Sequence, residues 1–546
     1  MCKTVHSLLV LCALLAIART PSFSTPKFVV VLVVDQLPYD WLVRFNEYYG
    51  ENGFRYLMKN GADFSNASYK HALNKTAPGH AVIMTGCYAN VNGIIANRWY
   101  DPVAGRDVYC VADPGATMLA GSGDGKSSLN LVVPTFGDQL RLHTGFVGKV
   151  VSIAQKDRSA ILLGGKMPSA AVWMSDTLFV SSSYYGDHLP SWVTAFNASG
   201  RVTSYRGKTW KRTLPDAAFR LADADDVPYE SDVHGLGRAF PHPIEGKDPQ
   251  SYNYALLSSP YGLDVLNALV MSAVKSEQLG KRDVTDLLCV SFATPDYVGH
   301  TFGPNSREVM EIAVHTDRAI AELLQSIDDE VGLSNTIVVL TSDHGVTPIP
   351  EYLQSKLPNV DAGRVSRRDF MDACNNALQS AFGAAPQNKN WVKRLVDMNL
   401  YLDRDVLKEK QLDLALVSRV LADSINRFPS IALALPKIEL LAGASFSPLA
   451  EKMRRSFHHE RSGDVVLAYK PFYSLDDEPS GAEHGNPYEY DAHVPVILMG
   501  EGINPGRYVT EASPVDIAPT LSALLGIELP PGREGRVLHE ALARER

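Results

Sequence analysis

Three aspartates and three histidines stand in short clusters that suit a metal centre. Asp296 and His300 are four apart in Ala293-Thr-Pro-Asp-Tyr-Val-Gly-His300, Asp343 and His344 are adjacent in Thr341-Ser-Asp-His-Gly345, and His484 lies in Gly481-Ala-Glu-His-Gly485. Asp35 closes an apolar run and completes the set. Mixed carboxylate and imidazole donors suit zinc. Six such ligands divide into two sites of three, each with room for an oxygen. Two ions about 4 Å apart can hold the attacking and leaving oxygens of a phosphoryl transfer. Any one of these residues alone reads as a structural imidazole or a solvated loop acid; together they do not.

A nucleophile and a phosphate clamp are also present. Asn74-Lys-Thr-Ala-Pro-Gly-His80 precedes a short apolar helix predicted over 81–85, and Pro78 fits a first helical turn. Thr76 is thereby predicted just before a helix N-terminus, where partial positive charge favours an oxyanion and a bound phosphate. A neighbouring metal can activate its hydroxyl. The plainer alternative is a threonine cap. Lys156-Asp-Arg158 follows a strand-like run at 148–153. Arginine grips phosphate bidentately and lysine adds a point charge. Asn97, 21 residues after Thr76, can donate an amide N–H. A decoy lies at 121–127, Gly-Ser-Gly-Asp-Gly-Lys-Ser. It resembles a nucleotide P-loop, but Ala120 stands where a glycine is required and no buried strand leads in. His71, His80, His315, His458, His459 and His493 show no partner pattern and read as structural.

The positioning elements follow from hydrophobic runs. Residues 27–35 form a continuous apolar stretch ending in an acid, as a strand buried on both faces would. Residues 286–296, 336–343 and 495–500 read the same way, with helical patterns at 261–279 and 306–326. This alternation predicts an α/β fold, a mainly parallel sheet flanked by helices. Ligands bind beyond the carboxyl ends of such strands, where Asp35, Asp296 and Asp343-His344 all occur. Two stretches, about 98–260 and 352–475, read as insertions capping that edge. The second carries helical patterns at 368–382 and 405–428 and a strand-like 464–469.

Residues 1–24 resemble a cleavable export signal, with Lys3, an apolar run at 8–17, and Ser22 and Ser24 near the cut. The expected location is periplasmic or secreted, with no membrane association beyond export. Loss of Lys3 and Arg19 takes the net charge from −9 to near −11. Such a chain repels the nucleic-acid backbone, so nucleic acid is not an expected partner. The one domain spans 25–546, and nothing specifies an oligomeric state. Cys87, Cys110, Cys289 and Cys374 remain after cleavage. Cys87 and Cys110 flank a loop-rich stretch and are left open as a pair, whereas Cys289 sits in an apolar strand.

With these motifs the chain resembles the alkaline phosphatase superfamily, and most closely its bacterial PafA-type alkaline phosphatases. The resemblance runs from residue 29 to Ser513-Pro-Val-Asp-Ile-Ala-Pro-Thr520. Asn97, Lys156 and Arg158 carry the PafA-type likeness. It implies two Zn2+ ions, one on Asp296, His300 and His484 and the other on Asp35, Asp343 and His344. It further implies that Thr76 binds the second ion and attacks phosphorus. The first ion would serve the leaving oxygen and later activate water. Asn97, Lys156 and Arg158 would contact the non-bridging phosphate oxygens. Small phosphorylated compounds are the implied substrates. One rival is a phosphodiesterase or nucleotide pyrophosphatase of the same superfamily, which has no need of the Lys156/Arg158 clamp. A sulfatase would need Cys or Ser in place of Thr76. The non-enzyme rival is an exported metal- or phosphate-binding protein.

Overall fold

A computed structural model describes residues 26–386, 389–443 and 446–543. The candidate signal at 1–24 lies outside the described residues. Four strands, β1 (Phe28–Val34), β2 (Val150–Ala154), β3 (Asp286–Phe292) and β4 (Thr336–Thr341), are buried along their whole length. β1 pairs in parallel with β3 and β4, and β3 with β2. β5 (Val496–Met499) joins β4 antiparallel. All belong to one eleven-stranded sheet. Val30, Leu32 and Val34 enter a core with the helices Pro260–Glu277 and Arg307–Glu330. Val29, Val31 and Val33 enter a second core with Phe136, Ile517 and Leu521. The two-residue period of the strand thus feeds both faces, which explains the unbroken apolar runs. Each fully buried valine or leucine contributes about 1.5–3 kcal/mol.

Helices leave from the carboxyl edge of this sheet or pack against it. They are α1 (Thr76–Thr85), α2 (Asp157–Gly164) after β2, and α3 (Thr294–Phe302) after β3. Here the structure differs from the sequence expectation. The strand predicted over 286–296 stops at Phe292, because Pro295 starts a helix. Asp296 therefore sits on α3, one turn from His300, rather than at a strand end. α1 begins at Thr76 and not at residue 81, so Thr76 is its first residue.

The stretch 98–260, read as an insertion, in part builds the main sheet. β2, Ala170–Ser175, Leu178–Ser182, Ala112–Leu119 and Asp124–Lys126 all lie in it. β2 matches the strand-like run at 148–153, whereas the others lie between glycine- and serine-rich turns that hid their period. The P-loop look-alike is the turn of a hairpin there. Gly125 packs so closely that a Cβ would lie 1.9 Å from the Ala116 carbonyl oxygen. Residues 352–475 carry a separate four-stranded sheet of Val392–Val396, Asn399–Leu402, Ile431–Pro436 and Val465–Tyr469. Its own core includes Trp391, Leu402, Leu421 and Leu467. The single helix predicted over 405–428 is two, Arg404–Glu409 and Leu414–Ile425. Gln411 turns the chain at a φ of 53°, and Asp413 caps the second helix. Cys87, Cys110, Cys289 and Cys374 are all free and buried, so Cys87 and Cys110 form no pair. Among the described residues no helix is long and apolar enough to cross a membrane.

One buried acid ties stability to pH. Glu230 is 2% exposed, and its Oε2 has no hydrogen-bond partner. Burial, and then the Glu308 carboxylate, push its pKa from an ordinary 4.5 up to about 10. The folded protein therefore holds this proton more tightly than the unfolded chain. Stability falls as pH rises from about 4.5 towards about 10. Glu230→Gln is expected to raise Tm near pH 9 and to leave it little changed near pH 4. Thermal unfolding at the two pH values checks this; an equal change at both contradicts it.

Candidate active site

β1, β3 and β4 bring their following residues to one edge. Asp296, His300 and His484 place one ligand atom each within 4.8 Å of one another, and so do Asp35, Asp343 and His344. The groups adjoin: the His344 and His484 rings stack at 3.6 Å, and His344 Nε2 lies 4.0 Å from Asp296 Oδ1.

Backbone carbonyls orient all three imidazoles. His300 Nδ1 lies 2.7 Å from Ala482 O, His344 Nδ1 2.9 Å from Gly345 O, and His484 Nδ1 2.8 Å from Asn74 O. A carbonyl only accepts, so Nδ1 carries a proton and Nε2 is the nitrogen that faces inward. There it meets carboxylates. His300 Nε2 is 3.3 Å from Asp296 Oδ1, His484 Nε2 is 3.7 Å from the same atom, and His344 Nε2 is 3.3 Å from both Asp35 Oδ1 and Asp343 Oδ2. Asp35 Oδ1, Asp343 Oδ2 and His344 Nε2 are buried without hydrogen-bond partners. Carboxylate oxygens and imidazole nitrogens converging in a buried site call for positive charge there, and carbonyl-anchored imidazoles with carboxylates fit zinc.

Charge at the site is finely divided. Burial, then repulsion by Asp296 and Asp343, raise the Asp35 carboxyl. Burial also acts on Asp296, but Lys156 and His300 outweigh it and hold the carboxyl well below its usual range. Burial works against a charged His300, yet Asp296 carries its pKa up to about 9. Burial and the neighbouring His344 keep His484 neutral.

Thr76 is 1% exposed, and Arg158 Nη2 lies 3.4 Å from its Oγ1. Asn97 Oδ1 accepts the Ala77 N–H at 2.9 Å, which leaves its amide N–H groups to donate. Lys156 Nζ spans the two groups, meeting Asp35 Oδ2 at 2.7 Å and Asp296 Oδ2. A cavity of about 660 Å³ opens beside Arg158 and Asn97, with Arg367 and Asp397 of the 352–475 stretch in its wall. All ten sequence-predicted site residues thus meet at one edge.

Sequence reasoning missed several neighbours. His80, read as structural, lies one turn from Thr76. Its Nδ1 is 2.8 Å from Thr76 O and 3.2 Å from Asp343 Oδ2, and its Nε2 is 2.9 Å from Ser291 Oγ. The four-residue spacing from Thr76 was the available signal. Gly79 permits the contact between α1 and the segment that follows β4, since a Cβ would lie 2.3 Å from Asp343 O. Lys75 Nζ is 3.4 Å from Asp397 and 3.6 Å from Glu483, linking the Thr76 loop to the 352–475 stretch and to the His484 loop. No sequence signal pointed to Lys75.

Comparisons with known proteins place the chain in a family. The type I phosphodiesterase / nucleotide pyrophosphatase family matches residues 29–491. Alkaline phosphatase PafA of Elizabethkingia meningoseptica is 32% identical over 99% of both chains. Alkaline phosphatase PhoV of Synechococcus elongatus is 34% identical over 95% of this chain and 93% of that protein. The crystal structure of wild-type PafA superposes with a TM-score of 0.89, covering 95% of this chain and 99% of that one. Murine ectonucleotide pyrophosphatase / phosphodiesterase 5, 14% identical with a TM-score of 0.55, shares the fold. The chain therefore belongs to the type I phosphodiesterase / nucleotide pyrophosphatase family of the alkaline phosphatase superfamily, with bacterial alkaline phosphatases as its full-length relatives.

Proposed function

We propose that this alkaline phosphatase is an exported phosphate monoester hydrolase that carries two zinc ions and works through a phosphothreonine at Thr76. The reading rests above all on Thr76 Oγ1 lying at a helix N-terminus, 3.4 Å from Arg158, beside two groups of converging ligand atoms. Asp296, His300 and His484 would hold one ion, and Asp35, Asp343 and His344, with Thr76, the other. When bound, the ions supply positive charge to the attacking and leaving oxygens.

The residues do the rest. The α1 N-terminus lowers the cost of a Thr76 alkoxide. Arg158 beside Oγ1, with Asn97 and Lys156, grips the three non-bridging oxygens and aligns phosphorus for in-line attack. The bond from Thr76 Oγ to phosphorus forms as the ester bond breaks; Thr76 gives up its hydroxyl proton and the alcohol leaves with one. Water then attacks phosphorus from the side the alcohol left, the Thr76 Oγ–phosphorus bond breaks, inorganic phosphate leaves, and Thr76 regains its proton. The family description also names diesterases. Two cations at the phosphate favour the monoester, whose dianion offers one more charged oxygen. Export rests on residues 1–24.

Metal removal tests the reading. The purified enzyme is expected to hold about two zinc ions per chain. Chelation is expected to abolish monoester hydrolysis, and added zinc to restore it. Full turnover in protein shown by elemental analysis to be metal-free would rule out the two-metal reading.

A further inference from the structure

Gln36 follows Asp35 and lies between the two donor groups. It is fully buried and takes a φ of 65°, in the left-handed region that residues with side chains seldom adopt. Such backbone persists only where the surroundings hold it. Its backbone N–H donates to Asp343 Oδ1 at 3.2 Å, in one group. Its side-chain Nε2 donates to Asp296 Oδ1 at 2.9 Å, in the other. That Asp296 oxygen is the one that faces His300 Nε2 and His484 Nε2. The other oxygen, Oδ2, is taken by Lys156. The Gln36 amide therefore controls how Asp296 presents its ligand atom. A carboxylate oxygen only accepts, so the amide must turn its NH2 end towards it. The packing is fitted to this side chain. Gly299 of α3 faces it, and a Cβ there would lie 1.6 Å from Gln36 Oε1.

We infer that Gln36 is a positioning residue whose amide orients Asp296 and thereby sets how tightly the Asp296–His300–His484 group holds its ion. This rests on the two-metal reading above. Partners that hydrogen-bond to metal ligands from outside typically change affinity by about 10–100-fold. Gln36 reaches one group with its side chain and the other only with its backbone. Removal of the amide should therefore be felt by one ion and not by both.

The test is zinc affinity, measured by competition with a chromogenic chelator in buffered zinc, for wild type, Gln36→Met and Gln36→Gly. The first variant keeps an unbranched chain of similar length, and the second relieves the left-handed backbone. Should Gln36→Met not fold, Gln36→Gly carries the same reading. In both, one ion is expected to be held as in wild type and the other about 10–100-fold more weakly. In a His484→Ala background, where that site is already broken, Gln36→Met is expected to add nothing. A general loss of fold would weaken both ions alike. Two ions at wild-type affinity in the variants, or equal weakening of both, would overturn the assignment. A wild-type enzyme that binds fewer than two ions refutes the two-metal reading instead, a result distinct from unchanged variants of a two-ion enzyme.

Discussion

Thr76→Ala is expected to lower kcat/KM on a phosphate monoester by at least about three orders of magnitude. Metal content and Tm should stay close to wild type. The expectation follows from position. Thr76 is the first residue of α1, 1% exposed, with Arg158 at its oxygen. Alanine keeps Cβ and loses only the hydroxyl and one methyl, a small volume change. Thr76→Ser keeps the hydroxyl and is expected to keep substantial activity. Rates on one monoester across the three proteins, with zinc counted in each, check both statements. Near wild-type turnover by Thr76→Ala would remove this residue from the mechanism.

The double variant Lys156→Ala/Arg158→Ala is expected to separate monoester from diester hydrolysis. A monoester presents three non-bridging oxygens, and a diester carries an organic group on one of them. Each charge-assisted contact contributes about 1.5–3 kcal/mol. Loss of both cations should cost roughly two to four orders of magnitude in monoester kcat/KM if the losses partly add. Diester hydrolysis should change far less. Lys156 has a further duty, since its Nζ lies between Asp35 and Asp296. Zinc content must therefore be measured beside the rates. Equal loss on both substrates at unchanged zinc would contradict the clamp. A wild type that prefers the diester would contradict the monoester assignment.

The parts that sequence made legible share a physical cause. β1, β3 and β4 are buried on both faces, so their apolar runs are unbroken and end in chemistry-bearing residues. Metal ligands cluster in short motifs because one turn or one helix pitch must bring them together, as for Asp296 and His300. What stayed hidden depends on long-range packing. Gln36 looks like any polar residue after a strand until Asp296 arrives 260 positions later. Lys75 gains meaning only when Asp397 and Glu483 close on it. Apart from β2, the sheet strands within 98–260 are broken up by glycine- and serine-rich turns, so their period did not stand out. The apolar run at 81–85 marked the helix too late because Gly79, a poor helix former, interrupts the pattern ahead of it. In the fold, a close approach to Asp343 makes the glycine a necessity.

The most direct measurement is capture of the covalent enzyme. A monoester labelled in its phosphoryl group is mixed with enzyme, quenched in acid within milliseconds, and the chain is digested and mapped. Acid preserves a phosphothreonine ester. The expected result is label on the peptide that contains Thr76, formed within the first turnover and lost on dilution into unlabelled substrate. Its absence from Thr76→Ala should accompany the loss of rate. Full turnover with no label on the chain, or label on a residue other than Thr76, would contradict the proposed mechanism.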